Sequence, residues 1–196
     1  MKYPEFFERV ESITLKDPLA EFLGAFEEGM ISFGYLDVVK SAGHSCPTIA
    51  GAYLMAREGL KALYKDEMPV RGDIRVLMKE GMEEGTAGVM ANLFSLITGA
   101  TTTTGFKGLQ GHFDRRNLLF FNAPLSLHVK MQRVDTLQSV EMAYDPRSIV
   151  PDARMNALMP KLFSDATSEE RLLFGTLWQE RVRNILENCD KVLILN

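Results

Sequence analysis

The sequence predicts an α+β fold, with helices packed on a mixed or antiparallel sheet in one core domain over 1–196. Three observations predict it. Up to residue 99 the apolar residues recur mostly every three or four positions, with a single alternating stretch between them. From 117 to 144 the pattern changes to short runs with a period of two. A long helical pattern then returns and ends on "KVLILN", so the order is helices, a strand, a helix, then strands, rather than strict alternation.

The segment "PEFFERVESITL" sets Phe6, Phe7, Val10, Ile13 and Leu15 at helical spacing behind Pro4 and predicts a first short helix. Asp17-Pro18 opens a second, because Asp caps helices well and Pro suits the first helical position. Its buried face is expected at Leu19, Phe22, Leu23 and Phe26. Gly29 and Gly34 break the run, and "YLDVVKSAG" gives a further helical piece ending at Gly43. The clearest helix has Cys46 at its N-cap, Pro47 behind it, and Ile49, Tyr53, Ala56, Leu60 and Leu63 on one face. "VRGDIRVLMKE" reads as a strand through Ile74, Val76 and Met78. A helix from about Thr86 to Gly99 turns Val89, Met90, Leu93, Phe94 and Ile97 inward.

Residues 100–116, "ATTTTGFKGLQGHFDRR", lack periodicity and read as a long loop, a kind of segment that often carries function. Strands follow in "NLLFFN", "LSLHVKMQRV" and "SVEMAY", with His128 on the polar phase of the second and not counted as a ligand. Pro146, Pro151 and Pro160 mark a connection. The last helix runs from about Ser168 to Asn188, opens with a "SEER" capping pattern, and has Leu173, Leu177, Trp178 and Ile185 on its stripe. The C-terminal piece, 165–196, is this helix and a closing strand.

An apolar share of 46% against a charged share of 24% supplies enough material for a sizeable core. A net charge of -4 and a pI near 5.5 argue against a nucleic-acid binder. "MKYPEFFERVES" lacks the apolar run of a secretory signal, and no stretch approaches the roughly 20 apolar residues of a membrane span, so a cytoplasmic protein without membrane partners is expected. Two cysteines cannot build a four-cysteine metal site, so any metal needs His, carboxylate, water or a second protomer.

The chemistry-bearing stretch is "AGHSCPTIAG", residues 42–51. A cysteine at a helix mouth meets the positive end of the dipole and free N–H groups, both of which favour thiolate. His44, two residues upstream, can bring a ring nitrogen to the same side. The alternative is an ordinary cap at Cys46 and a hydrogen-bonded turn residue at His44. Within the long loop, Lys107, Arg115 and Arg116 with Gly105, Gly108, Gly111 and Thr101 to Thr104 could form an anion-binding nest, or a solvated charged turn. His112 is either a loop imidazole or a ligand. Glu80, Glu83 and Glu84 are candidate oxygen ligands or bases, or simply a surface charge cluster, and Cys189 is expected to be inert after a helix C-terminus.

"AGHSCPTIAGAYLMAREGL" followed by "GTAGVMANLFSLITGATTTTGFKGLQGHFDRRNLLFF" resembles the FmdE family of formylmethanofuran dehydrogenase subunits, most strongly over 35–145. The resemblance implies an α+β core, a homodimer, a metal held at His44 and Cys46, and association with a molybdenum or tungsten oxidoreductase of one-carbon metabolism. Zinc, or another divalent ion, suits that mixed imidazole and thiolate set. Where the family loop has cysteine after T-G, this chain has Ala100; its D-A-C type stretch is "EEGTAG", and with no C-x-x-C in the tail an appended zinc finger is not expected. His112 is the expected replacement ligand. The other expectations are a small zinc enzyme acting on an anionic or thiol-bearing substrate, with Lys107 or Arg116 steering it, and a non-catalytic partner or regulatory protein.

Overall fold

The computed structural model describes residues 2–196. Its elements in chain order begin with a 3-10 turn at Glu5–Glu8, β1 (Ile13–Lys16), α1 (Pro18–Phe22), β2 (Met30–Phe33), α2 (Tyr35–Ala42) and α3 (Pro47–Tyr64). There follow β3 (Ile74–Met78), α4 (Ala87–Thr98), β4 (Leu119–Phe120), β5 (Val129–Arg133) and β6 (Ser139–Tyr144). The chain closes with α5 (Arg154–Leu162), α6 (Ser168–Glu187), α7 (Cys189–Val192) and β7 (Leu193–Leu195). The class is the α+β one the sequence predicts. Among the described residues no helix is long and apolar enough to cross a membrane.

A five-stranded mixed sheet runs β4-β3-β5-β6-β7, with only the β3–β4 pair parallel. One face is apolar: Ile74, Val76 and Met78 of β3, Val129 and Met131 of β5, and Val140 and Met142 of β6 are buried. The other carries Lys130 and Glu141, side by side at 3.5 Å. α3 lies on the apolar face and is covered by α2, α4 and α6. Every residue from Ile49 to Ala56 is buried, so its first half has no wet face, as expected of a helix that is apolar all round.

Two glycines set the helix-to-sheet spacing. A Cβ at Gly51 would lie 2.4 Å from the Tyr144 ring, and one at Gly59 would lie 2.7 Å and 2.9 Å from the sulfurs of Met142 and Met131. Eight residues apart on one helix, they notch the face that meets β5 and β6. The two positions differ in how far their neighbours can yield. Methionine sulfurs swing aside, whereas the Tyr144 ring is anchored by its hydroxyl, which donates to the Pro47 carbonyl at 2.6 Å.

The N-terminal expectations need correction. The helix expected across 4–15 is only the Glu5–Glu8 turn, and Ile13–Lys16 pairs antiparallel with Met30–Phe33 in a separate two-stranded sheet. Ile13 and Leu15 alternate inward as well as they fit a helical stripe, and pairing with β2 decides between the two periods. α1 is also not amphipathic as expected: Phe22, Leu23 and Phe26 are exposed.

Asp17 explains why this segment is nonetheless fixed. Its Oδ1 accepts from the amides of Leu19 (3.0 Å) and Ala20 (3.1 Å) and from Arg115 Nη2 (2.7 Å), while Oδ2 accepts from Arg71 Nη1 (2.8 Å). Arg71 also donates to the carbonyls of Ile97 and Leu96, at the negative end of α4. One buried carboxylate therefore joins α1, the end of α4 and the 100–116 loop.

Other departures are local. Val89 is exposed rather than inward. The connection marked by Pro146, Pro151 and Pro160 leads into α5 (Arg154–Leu162), with Pro160 near its end. α6 is capped by Thr167 and Glu170, which bond each other's backbone N–H, so the capping pattern begins one residue before "SEER". Leu173 is exposed, whereas Leu177 and Ile185 are buried. Cys189 follows the end of α6, as expected, and also opens the short α7; burial raises its thiol pKa, with the Glu58 charge acting in the same direction.

This packing can be tested at two points. Gly51→Ala should destabilise by about 1–3 kcal/mol through overpacking against Tyr144, while Gly59→Ala, with yielding methionines and a helix-propensity gain of up to about 1 kcal/mol, should be nearly neutral in urea unfolding. Asp17→Asn keeps a capping side chain but strands two guanidinium groups, and should cost about 3–5 kcal/mol. Burial raises the Asp17 pKa, but the Arg71 bond, the Ala20 amide and the Arg115 charge outweigh it and hold the carboxyl below its usual range. Its stabilisation is thus present above the unfolded-state pKa of about 3.9 and lost as pH falls through the lower folded value. Acid titration of the two proteins should show a smaller stability loss in the variant.

Candidate functional site

The His-x-Cys motif sits where α2 ends and α3 begins. Gly43 closes α2 in the left-handed region (φ 76°), and Cys46 is the N-cap of α3 in extended backbone, with Pro47 at the first helical position. His44 is exposed between them. Its Nδ1 lies 3.0 Å from the Ala42 carbonyl, and a carbonyl only accepts, so Nδ1 bears the proton and Nε2 of the neutral ring keeps its lone pair. Cys46 is half-buried, and its side chain makes no capping bond.

Ser45, the residue between the two, is the anchor. It is buried, and its hydroxyl lies 3.1 Å from that of Tyr35. Its carbonyl accepts from Trp178 Nε1 (2.9 Å) and Gln179 Nε2 (3.2 Å) of α6. The Tyr144 hydroxyl holds the carbonyl of Pro47, at the first turn of α3. Burial raises the pKa of both phenols, Tyr35 and Tyr144; the nearby Cys46 adds to this, and for Tyr35 the Ser45 bond works against it. Both remain protonated donors at neutral pH. The mouth of α3 is therefore clamped by side chains from α2, β6 and α6.

This clamp fixes the backbone on either side of Cys46, and the described residues gather no further donors. Among the described residues no three of His, Cys, Asp and Glu lie together as a metal shell. A divalent ion at His44 and Cys46 would find an imidazole and a thiolate, half of a tetrahedral set, and would take its remaining donors from water or another chain. His112 does not complete the shell within the protomer. It lies in a tight turn in which Leu109 and His112 exchange backbone hydrogen bonds, and its ring neighbours Phe113, which packs 5.4 Å from Phe22 of α1.

The basic loop is also organised differently from the expected nest. Arg115 is buried and turned onto Asp17 at 2.7 Å. Arg116 is paired with Asp114 at 2.7 Å, a bond that holds that carboxyl at about 2. Lys107 stands exposed without them. The loop is ordered by its own backbone: Thr101 and Arg115 bond through N–H and carbonyl, as do Arg115 with Phe106 and Asn117 with Thr102. Of the three acids near β3, Glu84 is used locally, accepting from the Gly81 amide at 2.8 Å.

Three concavities surround these elements. One of about 190 Å³ lies beside His44, between α2 and α4, and is lined by Val38, Ala42, Val89, Asn92 and Leu96 among others. A second, of about 260 Å³, lies where the first turns of α3 and α4 meet the strand ends. The largest, about 570 Å³, runs between the N-terminal segment and α6, past Phe6, Leu172 and Gly175, far in sequence from the motif and without His or Cys.

The sequence points to His44 and Cys46 but not to Ser45, Tyr35, Tyr144, Trp178 or Gln179. The last two lie 133 and 134 residues from Ser45, and no local signal marks such a bond. No family model matches this chain, and no curated protein matches it. The likeness to the FmdE family thus stands on the motif residues.

The clamp itself is testable. Ser45→Ala leaves the Tyr35 hydroxyl buried without its partner and should cost about 1–3 kcal/mol in urea unfolding. Tyr35→Phe in the same background should recover much of that loss, since removing both partners is far less costly than orphaning one. Equal losses in the single and double variants would show that the bond contributes nothing.

Proposed function

We infer that this chain is a divalent-metal-binding protein, with zinc the best-suited ion, in which His44 Nε2 and the Cys46 thiolate are two donors of an open shell. The observation that carries the reading is the Nδ1–Ala42 bond: a metal-bound histidine characteristically has its other ring nitrogen held by a carbonyl or carboxylate, which fixes the tautomer and aims the free lone pair. The clamp on the Ser45 and Pro47 carbonyls supports it, because a backbone already fixed beside both donors loses less freedom on binding. Water or a second copy of the chain supplies the remaining donors, in line with the homodimer that the motif resemblance implies. Service beside a molybdenum or tungsten oxidoreductase of one-carbon metabolism is the wider role proposed on the same resemblance.

Elemental analysis of chelator-free protein should give a substoichiometric to equimolar divalent metal that the double variant His44→Ala, Cys46→Ala loses. In metal-stripped folded protein, zinc should slow alkylation of Cys46 and leave Cys189, held back by burial, unchanged. An alkylation rate at Cys46 indifferent to zinc would refute the reading and leave Cys46 an ordinary helix cap.

A further inference from the structure

The cleft of about 260 Å³ shares no lining residue with the one beside His44. Its polar lining is Thr48 on the first turn of α3, Thr86 at the N-cap of α4, Glu80 after β3 and His128 before β5, above Met78 and Met90. The Tyr144 backbone N–H donates to His128 Nδ1 at 3.4 Å. The proton of the neutral ring is therefore on Nε2, which makes it a donor. Glu80 enters no ion pair among the described residues, and one of its carboxylate oxygens stands over Gly85, in the turn entering α4. An imidazole N–H of fixed tautomer and an unpaired carboxylate thus line one cleft, together with two hydroxyls and two methionines.

We propose that this cleft binds a small zwitterion of the amino-acid class. The ligand's carboxylate accepts from His128 Nε2–H and the Thr48 hydroxyl, its ammonium donates to Glu80, and a short side chain rests on Met78 and Met90. The first turns of both α3 and α4 open on the cleft without a side-chain cap, and their free N–H groups favour an anion in it. The volume, just under the about 300–1,000 Å³ of common ligand pockets, restricts the ligand to a small one. Glu80 and His128 are exposed and Thr48 is half-buried, so water meets these groups when nothing is bound, and only a ligand carrying both charges engages them together. The proposal does not depend on a metal at His44 and Cys46.

The test uses the full chain, stripped of metal so that the two readings fail separately. Histidine ring resonances, with His128 assigned from His128→Asn, are followed while glycine, L-alanine and L-serine are added to millimolar concentration, with lactate and ethanolamine as single-charge controls. At least one amino acid should move the His128 signals saturably, and Glu80→Gln and Thr48→Val should each weaken that binding about tenfold, the loss of roughly 1.4 kcal/mol. Neither control should saturate. No saturable shift with any of the three, equal binding of lactate or ethanolamine, or an affinity unchanged in both variants would overturn the assignment.

Discussion

The structure depends on one constraint: α3 has no face to give to water over its first half. From Ile49 to Ala56 every side chain is buried, so the helix needs protein on all sides, and each neighbouring element can be understood as one wall of its enclosure. The sheet supplies the floor, approached closely at Gly51 and Gly59. α2, α4 and α6 supply the rest. A helix so enclosed can neither slide nor rotate without opening its core, and its first turn is therefore a fixed point in the molecule. Both the His44–Cys46 pair and the Thr48–His128 cleft are built at that fixed point.

The buried Asp17 cluster performs the corresponding task where apolar packing is thin. It ties α1, with its exposed phenylalanines, and the loop after α4 to the β1–β2 ribbon, which is itself seated by Ile13, Leu15 and Phe33. α1 and the loop have little buried apolar area of their own to hold them there. An ionic cluster substitutes geometry for area, and its demand for two arginines explains why Arg115 is turned inside the fold rather than offered to a ligand.

Legibility in the sequence follows the length and exposure of each element. α3, α4 and β3 are readable because long or cleanly alternating patterns leave one period that fits. The region 4–33 misleads because four-residue strands contain only two inward positions, too few to separate a period of two from one of 3.6. α5 is hidden by Pro160, which sits where a helix is already ending. At the site, the chemically reactive residues announce themselves by type and spacing. Ser45, the residue that positions them, does not, because its significance lies in bonds to α2 and α6 that only the folded chain brings near.

That arrangement has an optical consequence. Trp178 is the only tryptophan in the chain, and its indole N–H is bonded to the Ser45 carbonyl between His44 and Cys46. Indole emission responds to the hydrogen bonding and polarity around the ring, so the protein's intrinsic fluorescence is in effect a signal from the mouth of α3. Any event that shifts that backbone, whether occupancy at the motif or loosening of α6, is written into the colour and intensity of a single chromophore, with no label attached.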